Sequence, residues 1–330
     1  MKKFLALVLS AVMVLSLVAC GEKEEKPADD AQQQTEQPAE KVDLVLATGG
    51  TSGTYSAVGG VLQTVLGSKL QLSNMTVEST GASKANVNMM TDGQAQLSIL
   101  QSDVLNYAHN GTETFKETGA ETSALWIMGI YNETIQIIAK PGINSISDLK
   151  GKTVCVGDVG SGTEVNAWQV LGSVGLGKED ITPFNGGFQD GVDMLKDGKI
   201  DAAFTVAGAP TTAIVDYAAT NDLNMVSLSD DEIKDIQAAY PFLVRDDLPA
   251  GTYNGVDTVT QCVAVQAALV ADETVSEDVV YELTKAIYDN QAELTEGHAK
   301  WGLLSVEGAI HNTAPMHPGA IKYYKEIGAL

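Results

Sequence analysis

Thr48-Gly-Gly-Thr-Ser-Gly-Thr-Tyr55 separates an apolar run at 42–47 from a longer apolar stretch at 57–70. The shorter run predicts a buried strand, and the longer one predicts a helix. Because the turn between them is rich in glycine, it leaves backbone N–H groups free at the start of the helix. These donors and the positive end of the helix dipole favour the binding of an anion.

The same order of elements occurs a second time. An apolar strand at 152–156 is followed by Gly160-Ser-Gly-Thr-Glu164 and by a helix at 165–171. Asp92-Gly93 in the first pass corresponds to Asp197-Gly198 in the second, and each pair is typical of a helix C-terminus. These repeated signals, at a similar spacing, predict two similar βαβ-type lobes.

Strands that alternate with helices predict an α/β fold with mostly parallel sheets. We expect lobe I to comprise 42–139 plus 259–330, since the apolar run near 258–270 is placed to return to the first lobe, and lobe II to comprise 140–258. Ligands of parallel sheets bind beyond the carboxyl ends of the strands. Both Ser-Gly-Thr turns and the strand ends at Gln101 and Ala207 lie there, so the sequence predicts one cleft between the lobes.

The first twenty residues are typical of a targeting segment. Lys2 and Lys3 precede an apolar region at 4–18, and Leu17-Val-Ala-Cys20 resembles the bacterial lipobox. We therefore expect a signal peptide at 1–19, lipid on Cys20 and a membrane-anchored protein outside the cytoplasm, although an ordinary cleaved signal peptide remains the alternative. Residues 20–41 are rich in Glu, Gln, Lys, Pro and Ala, which predicts a disordered tether.

Charge limits the possible partners. The formal net charge is −23, which argues against nucleic acid and anionic membrane surfaces as direct partners. Arg245 is the only arginine, so it is the sole candidate for a bidentate clamp on a ligand carboxylate. Recognition of an anion is therefore expected to depend mainly on backbone and hydroxyl donors.

A set of short motifs, taken together, resembles the TAXI family of solute-binding proteins of TRAP transporters. Besides the two Ser-Gly-Thr turns, it includes Gln101-Ser-Asp103, Asp148-Leu-Lys-Gly-Lys152, Asp197-Gly-Lys-Ile-Asp201, Val206-Ala-Gly-Ala-Pro210, Tyr240-Pro-Phe242, Pro249-Ala-Gly-Thr-Tyr253 and His317-Pro-Gly-Ala320. The resemblance implies a periplasmic-binding-protein-like (Venus flytrap) receptor whose two lobes are joined by a hinge. It also implies a membrane permease, driven by an ion gradient, as partner, and a small carboxylate or amino-acid solute such as glutamate, glutamine or a related dicarboxylate.

The resemblance also implies the residues that contact the solute. From the first lobe these are Ser52, Gly53, Thr54, Tyr55, Gln101 and Ser102, and from the second they are Ser161, Gly162, Thr163, Ala207, Gly208 and Pro210. Members of the family often carry two tyrosines after Gly-Thr, whereas Ser56 follows Tyr55 here. Glu164 adjoins the second turn, where it either accepts a solute ammonium or, as we favour, is a solvated acid at a helix N-terminus.

Enzyme motifs are incomplete. The first turn lacks the spacing of Gly-x-Ser-x-Gly, and position 146, where a P-loop ending at Gly151-Lys-Thr153 needs glycine, is Ile. None of the four histidines has a zinc-ligand spacing. We therefore predict no catalytic residue, metal or cofactor, and leave a serine hydrolase that uses Ser161 as a remote alternative.

Two non-enzymatic interpretations also stay open. One is a solute-binding lipoprotein of an ATP-driven importer, which only the family motifs disfavour. The second is a surface lipoprotein that binds no solute. Cys155 and Cys262 lie in apolar runs and are expected to be buried free thiols, although the sequence does not exclude a disulfide.

Overall fold

In the computed structural model, residues 41–330 are described. The predicted signal peptide, the lipidation site Cys20 and all of the predicted tether except Lys41 lie outside the described residues. No helix among residues 41–330 has the length and apolarity needed to cross a membrane.

The first Gly-rich turn lies in an alternating series of strands and helices. The elements are β1 (Val42–Ala47), α1 (Thr54–Leu66), β2 (Ser73–Glu78), α2 (Ser83–Thr91), β3 (Leu97–Gln101) and α3 (Ser102–Asn110). β1 pairs in parallel with β2 and with β3. A 3-10 turn at Glu113–Phe115 then leads to β4 (Ala124–Ala139).

The second turn lies in a matching series, which follows a 3-10 turn at Ile146–Leu149. The elements are β5 (Thr153–Cys155), α4 (Gly162–Ser173), β6 (Thr182–Phe184), α5 (Phe188–Lys196) and β7 (Ala202–Ala207). β5 pairs in parallel with β6 and with β7.

The remaining chain completes both series. Its elements are α6 (Thr212–Ala218), β8 (Asn224–Met225), α7 (Asp230–Ala239), β9 (Val244–Arg245), β10 (Val263–Asp272), α8 (Glu277–Asp289), α9 (Gln291–Gly297), a 3-10 helix (Ala299–Leu303), α10 (Val306–Ala309) and α11 (Pro318–Glu326). Ser276 precedes a stretch with helical spacing and is a typical N-cap residue, and α8 begins directly after it, since its hydroxyl accepts a hydrogen bond from the Val279 N–H.

One mixed sheet connects the two series in the order β2-β1-β3-β10-β4-β7-β5-β6. Its outer strands are parallel within each series, while β4 and β10 run antiparallel to their neighbours. The prediction of an α/β fold with mostly parallel strands is confirmed. The antiparallel pairs all involve β4 or β10, and they include the short strands β8 and β9.

β4 differs from its prediction. The apolar segments at 124–131 and 134–139 predict two separate strands, but the structure has one strand of 16 residues. Asn132 and Glu133 interrupt the apolar pattern without interrupting the ladder, because they lie opposite Gln266 and Val265 of β10. The first part of β4 pairs with β10 and its second part with β7, so this strand joins the two series.

The apolar core is divided between the same two series of strands. Two clusters cover the faces of the sheet around β1, β3 and the first part of β4, and their largest members include Trp301 and Trp126. Two others cover the part around β5, β7 and the second part of β4. We call these parts the first and second halves of the sheet. The exact lobe boundaries at 139, 140, 258 and 259 stay a prediction.

The repeated Asp-Gly pairs end helices as predicted. Asp92 and Asp197 are the C-cap residues of α2 and α5. The glycines that follow, Gly93 and Gly198, have φ angles of +71° and +73°. This left-handed conformation is accessible to glycine at little steric cost, which explains why the same dipeptide ends the corresponding helix in each series.

Candidate functional site

A cavity of about 220 Å³ lies where the strands β1, β3, β5 and β7 end. Its wall is formed by both glycine-rich turns together with the strand ends at Gln101 and Ala207. Nine of the twelve predicted site residues line it: Ser52, Gly53, Thr54, Tyr55, Gln101, Ser161, Gly162, Thr163 and Ala207. The structure therefore brings both turns to one cavity, at the carboxyl edge of the parallel strands.

Two helix N-termini contribute backbone donors to this wall. α1 begins after Gly53, whose extended backbone provides no side-chain cap. Within the described chain, the N–H groups of Thr54 and Tyr55 have no hydrogen-bond acceptor. At the start of α4, the Ser161 hydroxyl accepts from the Glu164 N–H at 3.1 Å. The cavity thus receives the positive ends of two helix dipoles.

The two walls of the cavity are in direct contact with each other. The Thr54 hydroxyl donates to the Gly208 carbonyl at 3.0 Å. A Cβ atom on Gly162 would lie 1.7 Å from Oε1 of Gln101, so only glycine permits this approach. These contacts join the first half of the sheet to the second half across the cavity.

Two buried side-chain hydrogen bonds between α3 and α4 extend the contact between the walls beyond the cavity. Asn166 of α4 donates to Oδ2 of Asp103 at 2.9 Å, and Gln169 donates to the Tyr107 hydroxyl at 3.0 Å. Burial raises the pKa of Asp103 to about 6, while the hydrogen bond from Asn166 opposes this change. These two hydrogen bonds hold α4 against α3, so the helix whose N-terminus faces the cavity is also fixed along its length.

Glu133 lines the cavity wall, although it is not among the site residues expected from the sequence. The Tyr55 hydroxyl donates to Glu133 Oε1 at 2.5 Å, and only 2% of the Glu133 surface is exposed. Burial raises the pKa of Glu133 to about 8, against the lowering effect of the hydrogen bond from Tyr55. The only signal for Glu133 in the sequence is a single acid between two apolar segments, and such an acid is also typical of a break between two strands.

The cavity wall is acidic. It includes Glu133, Asp158 and Asp190, and no lysine or arginine among the described residues lines it. Burial and the neighbouring Asp190 raise the pKa of Asp158. Arg245, the only arginine, is instead exposed and forms ion pairs with Asp230 and Asp247. An arginine clamp is therefore not part of this site.

Three predicted site residues are not on the cavity wall. Ser102 is buried, and its carbonyl accepts from the Thr313 hydroxyl at 2.6 Å. Gly208 instead contacts Thr54 through its carbonyl, so it belongs to the contact between the walls. Pro210 is exposed, following Ala209 through a cis peptide bond.

Glu164 also lies off the cavity wall. Its Oε2 accepts from the Gly160 N–H at 2.7 Å, and its Oε1 accepts from Asn185 at 3.2 Å. Its carboxylate therefore closes the second turn on itself. This geometry agrees with the interpretation of Glu164 as an acid at a helix N-terminus.

Comparisons with known proteins give a family and a fold. The model of the NMT1-like family matches residues 46–328. PhnD1 from Prochlorococcus marinus, solved in complex with methylphosphonate, is 10% identical with a TM-score of 0.54, over 87% of this chain and 99% of that one. A periplasmic transporter is 16% identical with a TM-score of 0.51, over 88% and 93% of the two chains. A Bordetella bronchiseptica protein is 14% identical with a TM-score of 0.51, over 88% and 90%.

At these identities the solved structures establish the fold alone. The periplasmic-binding-protein-like fold predicted from the sequence is confirmed. The assignment to the TAXI family of TRAP transporters stays a prediction, as do the identity of the solute and the roles of the individual site residues.

Proposed function

The chain belongs to the NMT1-like family, and we propose that it is an extracytoplasmic solute-binding protein that captures a small carboxylate solute and delivers it to a TRAP-type permease. The solute in this proposal is glutamate, glutamine or a related dicarboxylate. The observation that carries the proposal is the convergence of two helix N-termini on one cavity, with N–H groups that have no acceptor among residues 41–330. The fold of the solved structures supports the same class of protein.

The mechanism is a clamp with two ends. N–H groups of α1 and α4 hold carboxylate oxygens from opposite walls, and hydrogen bonds to a charged group contribute roughly 1.5–3 kcal/mol each. Because the α1 donors belong to the first half of the sheet and the α4 donors to the second, a solute engages both only when the walls meet. Contacts made only in the closed state shift the equilibrium toward closure by their own free energy.

The N-terminal sequence supports the proposed delivery to a membrane partner. Lipid on Cys20 and the tether at 20–41 would hold the folded part close to the membrane that contains the permease. The motifs shared with the TAXI family favour a TRAP-type permease over an ATP-driven importer. A large multi-spanning permease encoded beside this gene without an ATPase supports the first partner, and a neighbouring ATPase supports the second.

In this proposal the protein is not an enzyme. A serine hydrolase at Ser161 needs a base within hydrogen-bond distance, yet no histidine of the described chain lines the cavity. The hydroxyl of Ser161 instead accepts from the Glu164 N–H and caps α4. Hydrolysis of an ester by the purified protein that is lost in Ser161→Ala would support an enzyme instead.

Two variants of Thr54 test the clamp. Thr54 is the first residue of α1, a position where proline is tolerated, and Gly53 before it has the extended backbone (φ −102°, ψ 166°) that a following proline requires. Thr54→Pro removes both the hydroxyl and the N–H, whereas Thr54→Ala removes only the hydroxyl. The difference between the two therefore isolates one backbone donor.

The measurement is calorimetric titration with the best ligand from a thermal-shift screen of amino acids and dicarboxylates. We expect Thr54→Pro to bind that ligand roughly 10- to 100-fold more weakly than Thr54→Ala, as the loss of one hydrogen bond to a charged group requires. Equal affinities of the two variants would exclude the α1 donor, and a screen without any stabilising solute would favour a lipoprotein that binds none.

A further inference from the structure

The side chains on the cavity wall supply more hydrogen-bond acceptors than donors. Oε1 of Gln101 is buried without a hydrogen-bond partner in the described chain, and Gln101 is only 2% exposed. Glu133 adds a carboxylate whose Oε2 accepts no hydrogen bond from the described residues, while Asp158 and Asp190 line the same cavity. A solute that presents only carboxylates would leave Gln101 Oε1 and Glu133 Oε2 without a donor. Asp158 and Asp190 are instead exposed to water.

Glu133 in particular needs a positively charged partner when it is ionised. A buried carboxylate is stable only when it is paired or when it keeps its proton. The Tyr55 hydroxyl and the nearby Gln101 amide both lower the pKa of Glu133, but both groups are neutral. The Lys300 ammonium lies over the Tyr131 ring and does not line the cavity. The described chain therefore leaves the charge of Glu133 uncompensated.

From this surplus of acceptors we infer that Glu133 and Gln101 form a subsite for a protonated amine, so that the solute is an amino-bearing carboxylate. This inference rests on the proposed function. The ammonium donates to Glu133 Oε2 and to Gln101 Oε1, which lie on the wall formed by β4 and β3. The carboxylate of the same solute then accepts from the N–H groups of α1 and α4.

A competing arrangement makes the opposite prediction. In it, Glu133 keeps its proton and donates that proton to a solute carboxylate, so no amine is needed. Glutamine has nearly the same shape as protonated glutamic acid and carries N–H donors. Glu133→Gln therefore preserves the competing arrangement but removes the negative charge that the ammonium requires, and it still offers an oxygen to the Tyr55 hydroxyl.

The experiment uses solute pairs that differ only by the amine. L-Glutamate is compared with glutarate, and L-glutamine with 4-carbamoylbutanoate, by calorimetric titration of the full chain. We expect the wild type to bind the amino member of a pair at least 10-fold more tightly, and we expect Glu133→Gln to abolish that preference. Glu133→Asp retains the charge and is expected to retain part of the preference.

Glu117→Gln, at an exposed position that does not line the cavity, is the control for the loss of a carboxylate. A change of less than about 3-fold in its amine preference supports the subsite at Glu133. The assignment is overturned if Glu117→Gln also abolishes the preference, or if Glu133→Gln binds as the wild type does. Near-ultraviolet circular dichroism of each variant, recorded before titration, confirms that its side chains pack as in the wild type.

Failure of the inference is distinguishable from failure of the proposed function. Equal binding of glutarate and L-glutamate overturns the amine subsite while leaving a carboxylate-binding protein. If a full set of amino acids and their des-amino counterparts gives no binding at all, the proposed function fails, and the amine subsite fails with it.

Discussion

Glu133 is expected to make the ligand-free protein less stable as pH rises. A carboxyl group whose pKa is raised by folding binds its proton more tightly in the folded state than in the unfolded chain. The stabilisation of the folded state by the protonated group is therefore complete below the unfolded-state pKa, and it decreases as pH approaches the folded-state pKa. For Glu133 these pKa values are 4.5 and about 8, so the decrease falls between about pH 4.5 and pH 8.

The size of the effect follows from the same two values. Proton linkage with these pKa values gives a loss of about 2 kcal/mol in the free energy of unfolding between pH 6 and pH 8. For the described chain of about 290 residues, unfolding carries an entropy of roughly 0.6 kcal/mol per kelvin, so the loss corresponds to about 3 °C in Tm. The charge-free variant Glu133→Gln lacks this contribution.

The assay is equilibrium urea unfolding of wild type and Glu133→Gln at pH 6, 7 and 8, without solute. Asp103 has a raised pKa of about 6 and contributes a slope of the same sign, while burial lowers the pKa of His317 and gives the opposite sign. Both groups are present in both proteins, so the difference between the two curves reports Glu133. Glu117→Gln, at an exposed position, controls for the loss of a surface charge. Parallel curves for wild type and Glu133→Gln would refute the reasoning.

Two further predictions concern the cleft wall and the thiols. Gly162→Ala forces the buried Gln101 amide into the cavity, since the new Cβ would lie 1.7 Å from its Oε1, and we expect solute affinity in titration to fall at least 10-fold. Gly172→Ala on the same helix meets no atom within 4 Å, so it should leave affinity unchanged and add about 0.5–1 kcal/mol in urea unfolding; equal effects of the two variants would contradict this account. Cys155 and Cys262 are buried free thiols, and burial raises the pKa of Cys262 to about 12 and raises that of Cys155. A Cys20→Ser protein should therefore react with a thiol reagent at pH 8 only after denaturant is added, and rapid labelling of the folded protein would show that these thiols are accessible.

Local signals were sufficient to predict much of this fold. The two Ser-Gly-Thr turns and the two Asp-Gly helix ends depend on backbone geometry within a few residues, so their sequence patterns carry the information directly. The position of the turns at one edge of the sheet then follows from the parallel order of the strands. This is why Ser52, Ser161 and their neighbours were predicted together and lie on one cavity wall.

The features that were missed depend on pairing between distant segments. Whether Asn132 and Glu133 end a strand or continue it is decided by β10, whose residues 265 and 266 lie opposite them. The sequence around 132 and 133 has the same pattern in either case. Gly208 likewise contacts the opposite wall rather than the cavity, because its carbonyl accepts from the Thr54 hydroxyl across the cleft.

Glu133 and the backbone donors come from different parts of the chain, and they give the proposed site two different properties. The backbone donors come in similar pairs, one from each repeated series, and they suit any carboxylate that spans the two walls. Glu133 belongs to neither series, because β4 pairs with β10 on one side and with β7 on the other. A single acid on the connecting strand makes the cavity asymmetric, so a solute with one carboxylate end and one amine end has a preferred orientation. In this arrangement the repeated turns provide affinity for a carboxylate, while the unrepeated strand provides selection for the amine.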